Sequence, residues 1–275
     1  MPRPTAITVD GIAWGALRRH RGRRLCSGRN RPARAVSSGI RVDWAFMCRR
    51  FAMDLDWDAI ARQFAVDEDD VSARLPPASY AVAPTQTIGI VAQGRDGRRH
   101  LNGAHWSLIP RWSASKTLSY PTYNARMESA QHKPTFAESV QSMRAVIPAS
   151  GYYEWKGRRP FYFHAEHDAP LLMAGLYSWW RPNASAPWLL TATILTCPAA
   201  EEFARIHDRM PMLVPADMTG EWLDRSIDGA RLLRPVCEAG AELSRALRFH
   251  EVAPLSGDGR RLIAPLDHSE PMSLF

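Results

Sequence analysis

The sequence changes character at Met47, and this change limits where a folded domain can lie. From Met47 onward, short apolar runs are broken by Gly and Pro and separated by a few amphipathic stretches. This pattern is typical of short strands mixed with a few helices, so it predicts an α+β fold. Residues 1–46 are rich in Arg, Gly, Ser and Pro and show no hydrophobic periodicity. We therefore expect one domain over residues 47–265, a tail at 266–275, and an N-terminal extension that does not join the core.

The N-terminal extension, residues 1–46, also holds the excess of positive charge. It contains ten arginines and two aspartates, a net charge of +8, so the rest of the chain carries −1 of the total of +7. DNA binding by the folded part must therefore rest on particular residues and not on overall basicity. We expect translation to begin at Met47, or proteolysis to remove the extension. An organellar leader and a basic nucleic-acid arm are the alternatives.

Several functional classes are excluded by what the sequence lacks. No apolar run reaches the eighteen residues that a membrane-spanning helix needs. The cysteines show no C-x-x-C spacing, which argues against a zinc ribbon or a disulfide framework and favours a reducing cytoplasm. No grouping of His, Cys, Asp and Glu has metal-ligand spacing, and no phosphate-binding glycine loop is present. We expect a cytoplasmic monomer without metal or cofactor.

Local patterns predict where helices and strands lie. Asp54 or Asp56 is the expected cap of a first helix. The sequence from Thr135 to Glu138 is a capping-box pattern that predicts a helix ending at Met143, and Lys156–Gly157 predicts a turn. The other predicted elements are helices at 217–223 and 230–247, strands at 87–92, 145–148, 151–155, 161–164, 171–179, 189–196 and 212–214, and an irregular strand near 252–265.

Four clusters place polar, reactive residues within otherwise apolar strand or strand-end sequence. They are Met47–Phe51, Tyr123–Glu128, Gly151–Trp155 and Ile206–Pro211. Each cluster is a weak signal alone. Together they contain a thiol, proton-transfer groups and arginines, which are the residue types that nucleophilic chemistry on a phosphate-containing substrate requires.

Cys48 directly follows a methionine, and a side chain as small as cysteine allows an aminopeptidase to remove that methionine. Residue 48 would then carry an α-amino group, whose pKa of about 7.7 to 8 leaves a useful neutral fraction near pH 7. Amine and thiol together can condense with one aldehyde, first as an imine and then as a five-membered thiazolidine ring. An internal cysteine cannot do this. The alternative is that Cys48 is a small buried apolar residue.

Three further residues have side chains suited to proton transfer or to positioning. Glu154 lies between Tyr153 and Trp155, and apolar surroundings would raise the pKa of its carboxyl and keep it a proton donor. His207 is a general acid or base near neutral pH, oriented by its neighbour Asp208. Asn124 could hold a substrate oxygen or the cysteine amine. The alternatives are a surface glutamate, a structural histidine and a turn asparagine.

Arginines and tryptophans near these groups are candidates for contacts with nucleic acid. Arg50, Arg126 and Arg209 each lie within two residues of a candidate reactive group, where guanidinium groups could bind phosphates. Ion pairing with local carboxylates is the alternative for each of them. The indole rings offer flat faces on which bases could stack, although most tryptophans belong to cores. The candidates are Trp106, Trp112 and Trp155, with Trp112 favoured.

Taken in order, the four clusters resemble the SRAP family, the SOS-response-associated peptidases that are also called abasic-site processing proteins. The resemblance extends from Met47 to about Pro265, and residues 1–46 have no counterpart in it. It implies a curled mixed β-sheet pseudo-barrel flanked by helices, with a positively charged groove for single-stranded DNA. The further motifs that carry it are Tyr80–Gln86, Trp106–Pro110, Ala174–Leu176 and Ile194–Thr196.

The resemblance also implies roles for single residues. Cys48 matches the N-terminal cysteine that forms a thiazolidine with the ring-opened sugar of an abasic site. In the family, certain residues position the amine and move protons during imine formation, ring closure and reversal. Their counterparts here are Asn124, Glu154 and His207. The counterparts of the phosphate-contacting arginines are Arg50, Arg126 and Arg209, and those of the elements that wedge against neighbouring bases are Pro84 and the region of Trp112.

The sequence departs from the family pattern in three places. Arg49 stands where glycine is usual, so the backbone beside Cys48 has less conformational freedom. Ala81 replaces a usual asparagine and removes one hydrogen bond expected in the groove. The segment 252–265 is a loose match.

Two other functions fit parts of the sequence. A thiol peptidase, acting on itself or on other chains, would use Cys48 as nucleophile and His207 as base, and needs no free amine. A non-catalytic nucleic-acid-binding module would rely on the arginine-rich extension and lose its salt-dependent affinity without it. Strand cleavage by β-elimination is a conceivable side activity of an imine intermediate.

Overall fold

The computed structural model describes residues 49–267. Met47, Cys48, the extension at 1–46 and all but two residues of the predicted tail lie outside this range. Within it, no helix is both long and apolar enough to cross a membrane. The strands are β1 (Arg50–Met53), β2 (Ser79–Val82), β3 (Thr87–Gln93), β4 (Arg99–Trp106), β5 (Asn124–Arg126), β6 (Arg144–Ala149), β7 (Gly151–Lys156), β8 (Arg159–His164), β9 (Leu171–Trp180), β10 (Leu189–Pro198), β11 (Arg209–Pro211) and β12 (Arg248–Glu251). The α-helices are α1 (Trp57–Gln63), α2 (Met127–Ala130), α3 (Ala137–Ser142), α4 (Glu201–Ala204), α5 (Thr219–Leu223) and α6 (Leu233–Arg245).

Five strands form a closed barrel in the order β10-β4-β3-β6-β9, because β9 pairs with both β6 and β10. All neighbours in the ring are antiparallel except β4 and β10, which are parallel. Helix α3 packs on the outside against β6 and β9, α5 against β6, and α2 against β10. Nearly every residue of β9 and β10 is buried, which explains the nearly continuous hydrophobicity of these strands. The predicted α+β pseudo-barrel is confirmed.

A second, antiparallel sheet has the order β12-β8-β7-β1-β2. It joins the barrel at Ser150, the one residue that separates β6 from β7. The Ser150 N–H donates to the Ala52 carbonyl at 2.9 Å, and its hydroxyl accepts from the Asp54 N–H at 3.2 Å. The chain therefore passes from the barrel into the second sheet without a loop, and β7 is held beside β1.

The strongly apolar elements lie where their patterns predict, within one or two residues. Asp56 is the cap of α1, accepting from two backbone N–H groups. The capping-box prediction is wrong, because the Thr135 hydroxyl bonds to the Tyr120 hydroxyl at 2.7 Å and α3 begins without a side-chain cap. The strand predicted at 212–214 lies three residues earlier, as β11. Only Leu213 of the predicted residues forms a bridge, which pairs it with Met173.

Strands β1, β2, β4, β5 and β12 were not predicted. They are short, or polar like β4. Most of them pair with segments distant in sequence, whereas β4 forms a hairpin with β3 and also pairs with the distant β10. Of the irregular strand expected near 252–265, only the Val252–Pro265 bridge forms. The turn predicted at Lys156–Gly157 falls one residue later, with Gly157 at a φ of 65° that favours glycine.

Arg144 of β6 is a buried cation that holds the barrel to the α5 region. Its guanidinium donates to the carbonyls of Trp222 at 2.7 Å, Gln141 at 2.7 Å and Ile227 at 3.0 Å, and also to those of Val140 and Asp224. Burial lowers the pKa of this group. An arginine nevertheless stays protonated in proteins, so these carbonyls supply the solvation that water would otherwise give.

We expect Arg144→Met to lower the free energy of unfolding by about 3 kcal/mol, because several buried carbonyls lose their donor. In a domain of this size the melting temperature would fall by roughly 10 °C, measured by calorimetry. Arg234→Met is the matched control on the exposed face of α6, with an expected change below about 0.5 kcal/mol. A melting temperature within about 2 °C of the unaltered protein would contradict the assigned role of Arg144.

Candidate functional site

A cavity of about 690 Å³ opens at the amino end of β1. Arg50 at this end pairs with Tyr153 of β7, which brings the first and third sequence clusters together. The cavity is lined by Arg49, Arg50, Trp155, Arg158 and His207. Three of the predicted site residues, Arg50, Trp155 and His207, therefore share one cavity although they are far apart in the sequence.

His207 lies between α4 and β11 and is positioned through its Nδ1 atom. The Arg209 backbone N–H donates to Nδ1 at 3.0 Å. The Arg209 carbonyl lies 3.3 Å and Asp208 Oδ1 3.2 Å from the same atom, and both can accept from Nδ1 when it carries a proton. Local partners therefore engage Nδ1 in either tautomer, which fixes the orientation of the ring.

Glu154 is buried in the middle of the second sheet. It lies on β7 opposite Phe161 of β8, and its side chain is only 2% exposed. The alternative of a surface glutamate is therefore wrong. Glu154 is not among the residues that line the cavity, although its neighbour Trp155 is.

Asn124 and Arg126 lie on β5, at the edge of the barrel. Their partners on β10 are Ile194 and Thr196, and Thr196 also pairs with Pro211 of β11. The second and fourth sequence clusters therefore meet across the end of β10. The structure does not place Asn124 or Arg126 on the wall of the cavity beside His207.

Arg209 corrects one expectation from the sequence. Its guanidinium is buried and donates to both carboxylate oxygens of Glu128, at 2.5 and 2.9 Å, and to the Thr196 carbonyl at 2.7 Å. Arg209 therefore forms an ion pair in this structure, as the alternative stated, and its guanidinium is not presented for binding a phosphate. Its backbone still orients His207, so its contribution is to position the histidine.

The Arg209–Glu128 pair predicts a dependence of stability on pH. Burial alone would raise the pKa of Glu128, but the hydrogen bonds and charge of Arg209 outweigh burial and leave that pKa below its ordinary value. A lowered pKa in the folded state adds stability that is present above the unfolded pKa of about 4.3 and is lost as pH falls through the folded pKa.

We expect Glu128→Gln to be less stable than the unaltered protein at pH 7 by about 1 kcal/mol, since the carboxylate is partly exposed and screened. The difference should shrink as pH falls below about 4, as measured by urea denaturation across pH. Glu166→Gln, in the exposed pair with Arg248, serves as control. A difference independent of pH would contradict the assignment.

Arg49, Arg50 and Arg158 make the cavity cationic. Burial, and then the charge of Arg49, lower the pKa of Arg50, so its charged form is less stable here than in water. The Arg50 guanidinium donates to the Arg49 carbonyl at 2.9 Å. Because arginine does not give up its proton at neutral pH, an anion in the cavity would relieve this cost. The sequence interpretation gave no role to Arg158, although it follows Trp155 on the same hairpin.

Pro84 and Trp112 lie apart from this cavity. Pro84 lines a different cavity of about 630 Å³, together with His105 and Lys116. Burial, and then the charge of Lys116, lower the pKa of His105. Trp112 is 60% exposed, with its indole N–H donating to the Pro134 carbonyl at 3.3 Å. Trp106 is fully buried, so the greater weight given to Trp112 as a stacking candidate agrees with its exposure.

Comparison with known proteins gives a consistent result. The sequence model of a family described as SOS response associated peptidase (SRAP) matches residues 47–255. The abasic site processing protein YoaM of Bacillus subtilis is 38% identical over 152 residues, which cover 53% of this chain and 66% of YoaM, just under two thirds. The abasic site processing protein YedK of Escherichia coli is 28% identical over 199 residues, which cover 70% of this chain and 86% of YedK.

Solved structures with lower sequence identity share the fold. A protein from Bacteroides thetaiotaomicron matches with a TM-score of 0.65 at 20% identity, over 80% of this chain and 100% of that one. A protein from Bordetella bronchiseptica matches with a TM-score of 0.62 at 24% identity, over 75% of this chain and 100% of that one. At such identities the likeness concerns the fold alone.

Proposed function

Because the chain belongs to the SRAP family, whose curated relatives are named abasic site processing proteins, we propose that it crosslinks covalently to abasic sites in single-stranded DNA through Cys48. The observation that carries the proposal is the cationic cavity at the amino end of β1, lined by Arg50, Trp155 and His207. Cys48 precedes Arg50 by two residues, and covalent geometry limits their Cα separation to about 7 Å. The nucleophile is therefore tethered within reach of this cavity.

The proposed reaction joins an aminothiol to an aldehyde with loss of water. The α-amine of Cys48 attacks the aldehyde carbon of the ring-opened sugar, and the carbinolamine loses water to give an imine. The thiolate then attacks the imine carbon, and the nitrogen takes a proton, which closes the thiazolidine. The step needs an acid to release water and a base to accept the thiol proton. No oxidant, reductant or metal is required.

Each group in the site has a role in this proposal. His207 exchanges protons through Nε2, because local partners engage its Nδ1. Glu154 is the buried acid that assists loss of water. Asn124 positions the amine. Phosphates on either side of the lesion would be bound by Arg50 and Arg126, and neighbouring bases would rest on Pro84, Trp112 and Trp155.

The proposal requires that Cys48 is the first residue of the active molecule. A peptide bond at this nitrogen would leave no lone pair for imine formation, whatever else the site contains. We propose that the active form begins at Cys48 and acts as a monomer. Intact mass of the DNA-reactive protein tests the starting residue directly, and a reactive species that retains residues 1–46 would refute it.

The reaction is tested by mixing the protein with a single-stranded oligonucleotide that carries one abasic site. We expect a slower-migrating species that survives denaturant and has the mass of protein plus DNA minus one water. An undamaged strand, or one whose aldehyde is first capped with an alkoxyamine, should give none. A product that persists after capping would exclude aldehyde chemistry.

The family description supports a second candidate, a thiol peptidase that uses Cys48 and His207. Its intermediate is a thioester, which borohydride does not convert into a stable amine linkage. An imine is reduced to such a linkage. Trapping with borohydride on abasic DNA therefore separates the two activities, and strand cleavage seen in the same reaction would report a lyase side activity of the imine.

A further inference from the structure

A cavity of about 400 Å³ lies at the other end of β9 and β10 from His207. Leu190 of β10 pairs with Trp179 of β9, whereas Thr196 pairs with Pro211 near the site. Leu190 and Thr196 are six positions apart on β10, which corresponds to roughly 20 Å of strand. The proposed reaction makes no use of this cavity. We call it the distal cavity, and its walls include Arg95, Arg111, Trp179, Trp188 and Arg225.

Two indoles of the distal cavity are exposed to an unusual degree. Trp179 is 41% and Trp188 is 45% exposed, whereas Trp180, between them in sequence, is buried. The Arg181 guanidinium lies 4.3 Å from the centre of the Trp188 ring and holds it in place. Two large aromatic side chains that are exposed in the same cavity offer a contact surface for a ligand. A ring fixed in this way loses little conformational entropy when a flat ligand stacks on it.

Three guanidinium groups surround these indoles. Arg225 donates to the Tyr177 hydroxyl in the cavity wall, and the charges of Arg225 and Arg95 both act on that hydroxyl. Arg111 has a loose ion pair with Glu138, at 3.6 Å, in which both side chains are about half exposed. In the part of the chain that the structure describes, the residues that line this cavity include no carboxylate. The distal cavity is therefore a local concentration of positive charge on a folded part that is almost neutral.

The distal cavity is physically joined to the Trp112 region. Arg111, in its wall, directly precedes Trp112. The indole N–H of Trp180 donates to the Ser113 carbonyl at 2.8 Å, which ties the loop after Trp112 to the end of β9. A strand that passes over Trp112 can therefore continue onto Trp179 and Trp188 without leaving the protein surface.

We propose that the distal cavity is a second contact surface for single-stranded DNA, which binds nucleotides beyond Trp112 on the side away from the lesion. Flat indole faces and guanidinium groups are the two partners that a nucleotide needs, one for the base and one for the phosphate. An acidic peptide would use the guanidiniums alone and leave the indoles without a role. The inference rests on the proposed function and specifies the length of strand that the protein binds.

The test compares undamaged oligo-dT strands of about 4 and about 16 nucleotides, the range over which single-strand sites extend. Because these strands lack an aldehyde, equilibrium binding is measured by fluorescence anisotropy without crosslinking. We expect Trp188→Ala to reduce affinity for the longer strand by about ten- to one hundred-fold and to leave the shorter strand almost unchanged. Trp188→Phe, which keeps a ring, should restore most of the affinity.

Salt dependence separates the two kinds of contact. Arg95→Ala should reduce the slope of log affinity against log salt by about 0.7 for the longer strand, whereas Trp188→Ala should leave that slope unchanged. Leu243→Ala and Arg234→Ala, exposed on α6, are the matched apolar and basic controls and should change neither quantity.

The outcomes separate this inference from the proposed function. If the variants keep the full affinity advantage of the longer strand, the distal surface is refuted while lesion chemistry stands. Equal losses on both strands would also overturn it, because they would indicate a general defect or a contact at the lesion. If the unaltered protein binds neither strand and forms no crosslink with abasic DNA, the proposed function fails and the distal surface fails with it.

Discussion

Cys48→Ala is expected to abolish the denaturant-stable product with abasic DNA while leaving an imine that borohydride can trap. The alanine variant keeps an α-amine at the same position, because alanine is also small enough to permit removal of Met47. It lacks the sulfur that closes the ring. The loss of stable product should therefore be complete, whereas the yield after borohydride should stay within a few-fold of that of the unaltered protein. Denaturing gels with and without reductant measure both.

A form that retains residues 1–46 completes this comparison. It keeps the Cys48 thiol but has a peptide nitrogen in place of the amine, so we expect neither a stable nor a trapped product. The peptidase candidate also predicts no DNA product for this form, but its thiol would still cleave peptide bonds with the extension attached. It further predicts that borohydride traps nothing with the unaltered protein or with Cys48→Ala. The three forms thus assign the chemistry to the amine, the thiol or both.

The second large effect is expected for Glu154→Gln, which removes the acid while keeping the size and shape of the side chain. Proton transfer by a positioned group contributes about 100- to 10,000-fold to a rate, so we expect crosslinking to slow by at least about 100-fold. The measurement is the single-turnover rate of appearance of the denaturant-stable species. Affinity for undamaged DNA should change little, because Glu154 is buried and is not among the residues that line the cavity.

Two controls make the Glu154 result interpretable. Glu166→Gln changes an exposed carboxylate and should leave the rate unaltered. Thermal denaturation of Glu154→Gln should show a folded protein, since the amide is nearly isosteric with the acid. A folded variant that crosslinks at the normal rate would remove Glu154 from the mechanism and leave His207 as the proton-transfer group.

Glu154 and His207, the two groups assigned to proton transfer in the proposed reaction, are both held by the strands of the fold. Glu154 lies on β7, which continues β6 out of the barrel through Ser150, and β6 is held by its buried Arg144. His207 is oriented by the backbone of Arg209, whose guanidinium is fixed by Glu128. Glu154 therefore lies on a strand and His207 is held by the strand that follows it, which would preserve the geometry of both groups in the proposed complex with DNA.

Sequence periodicity identified the barrel strands with long apolar runs, because burial on both faces leaves a signal within the run itself. It also identified the four clusters and their residue types. Two unpredicted strands gave no such signal for different reasons. β4 is polar and only partly buried, although it forms a hairpin with β3, and β5 has three residues whose partners on β10 lie far away in the chain. The capping box at Thr135 failed for a related reason, because a tertiary partner, Tyr120, took the hydroxyl.

For the candidate site, the sequence by itself determined which chemistry is available: a cysteine after a methionine, a glutamate between aromatic residues and a histidine beside an aspartate. The tertiary structure decided which of these groups meet. Strand pairing placed Arg50 beside Tyr153. The fold also brought His207 to the cavity that Arg50 lines, and it buried Glu154. It also paired Arg209 with Glu128, because a buried guanidinium is stable only when other acceptors replace its water, here the Glu128 carboxylate and the Thr196 carbonyl. The residue types in a segment set which reactions its side chains can perform. Burial and proximity, in contrast, depend on contacts between segments distant in sequence.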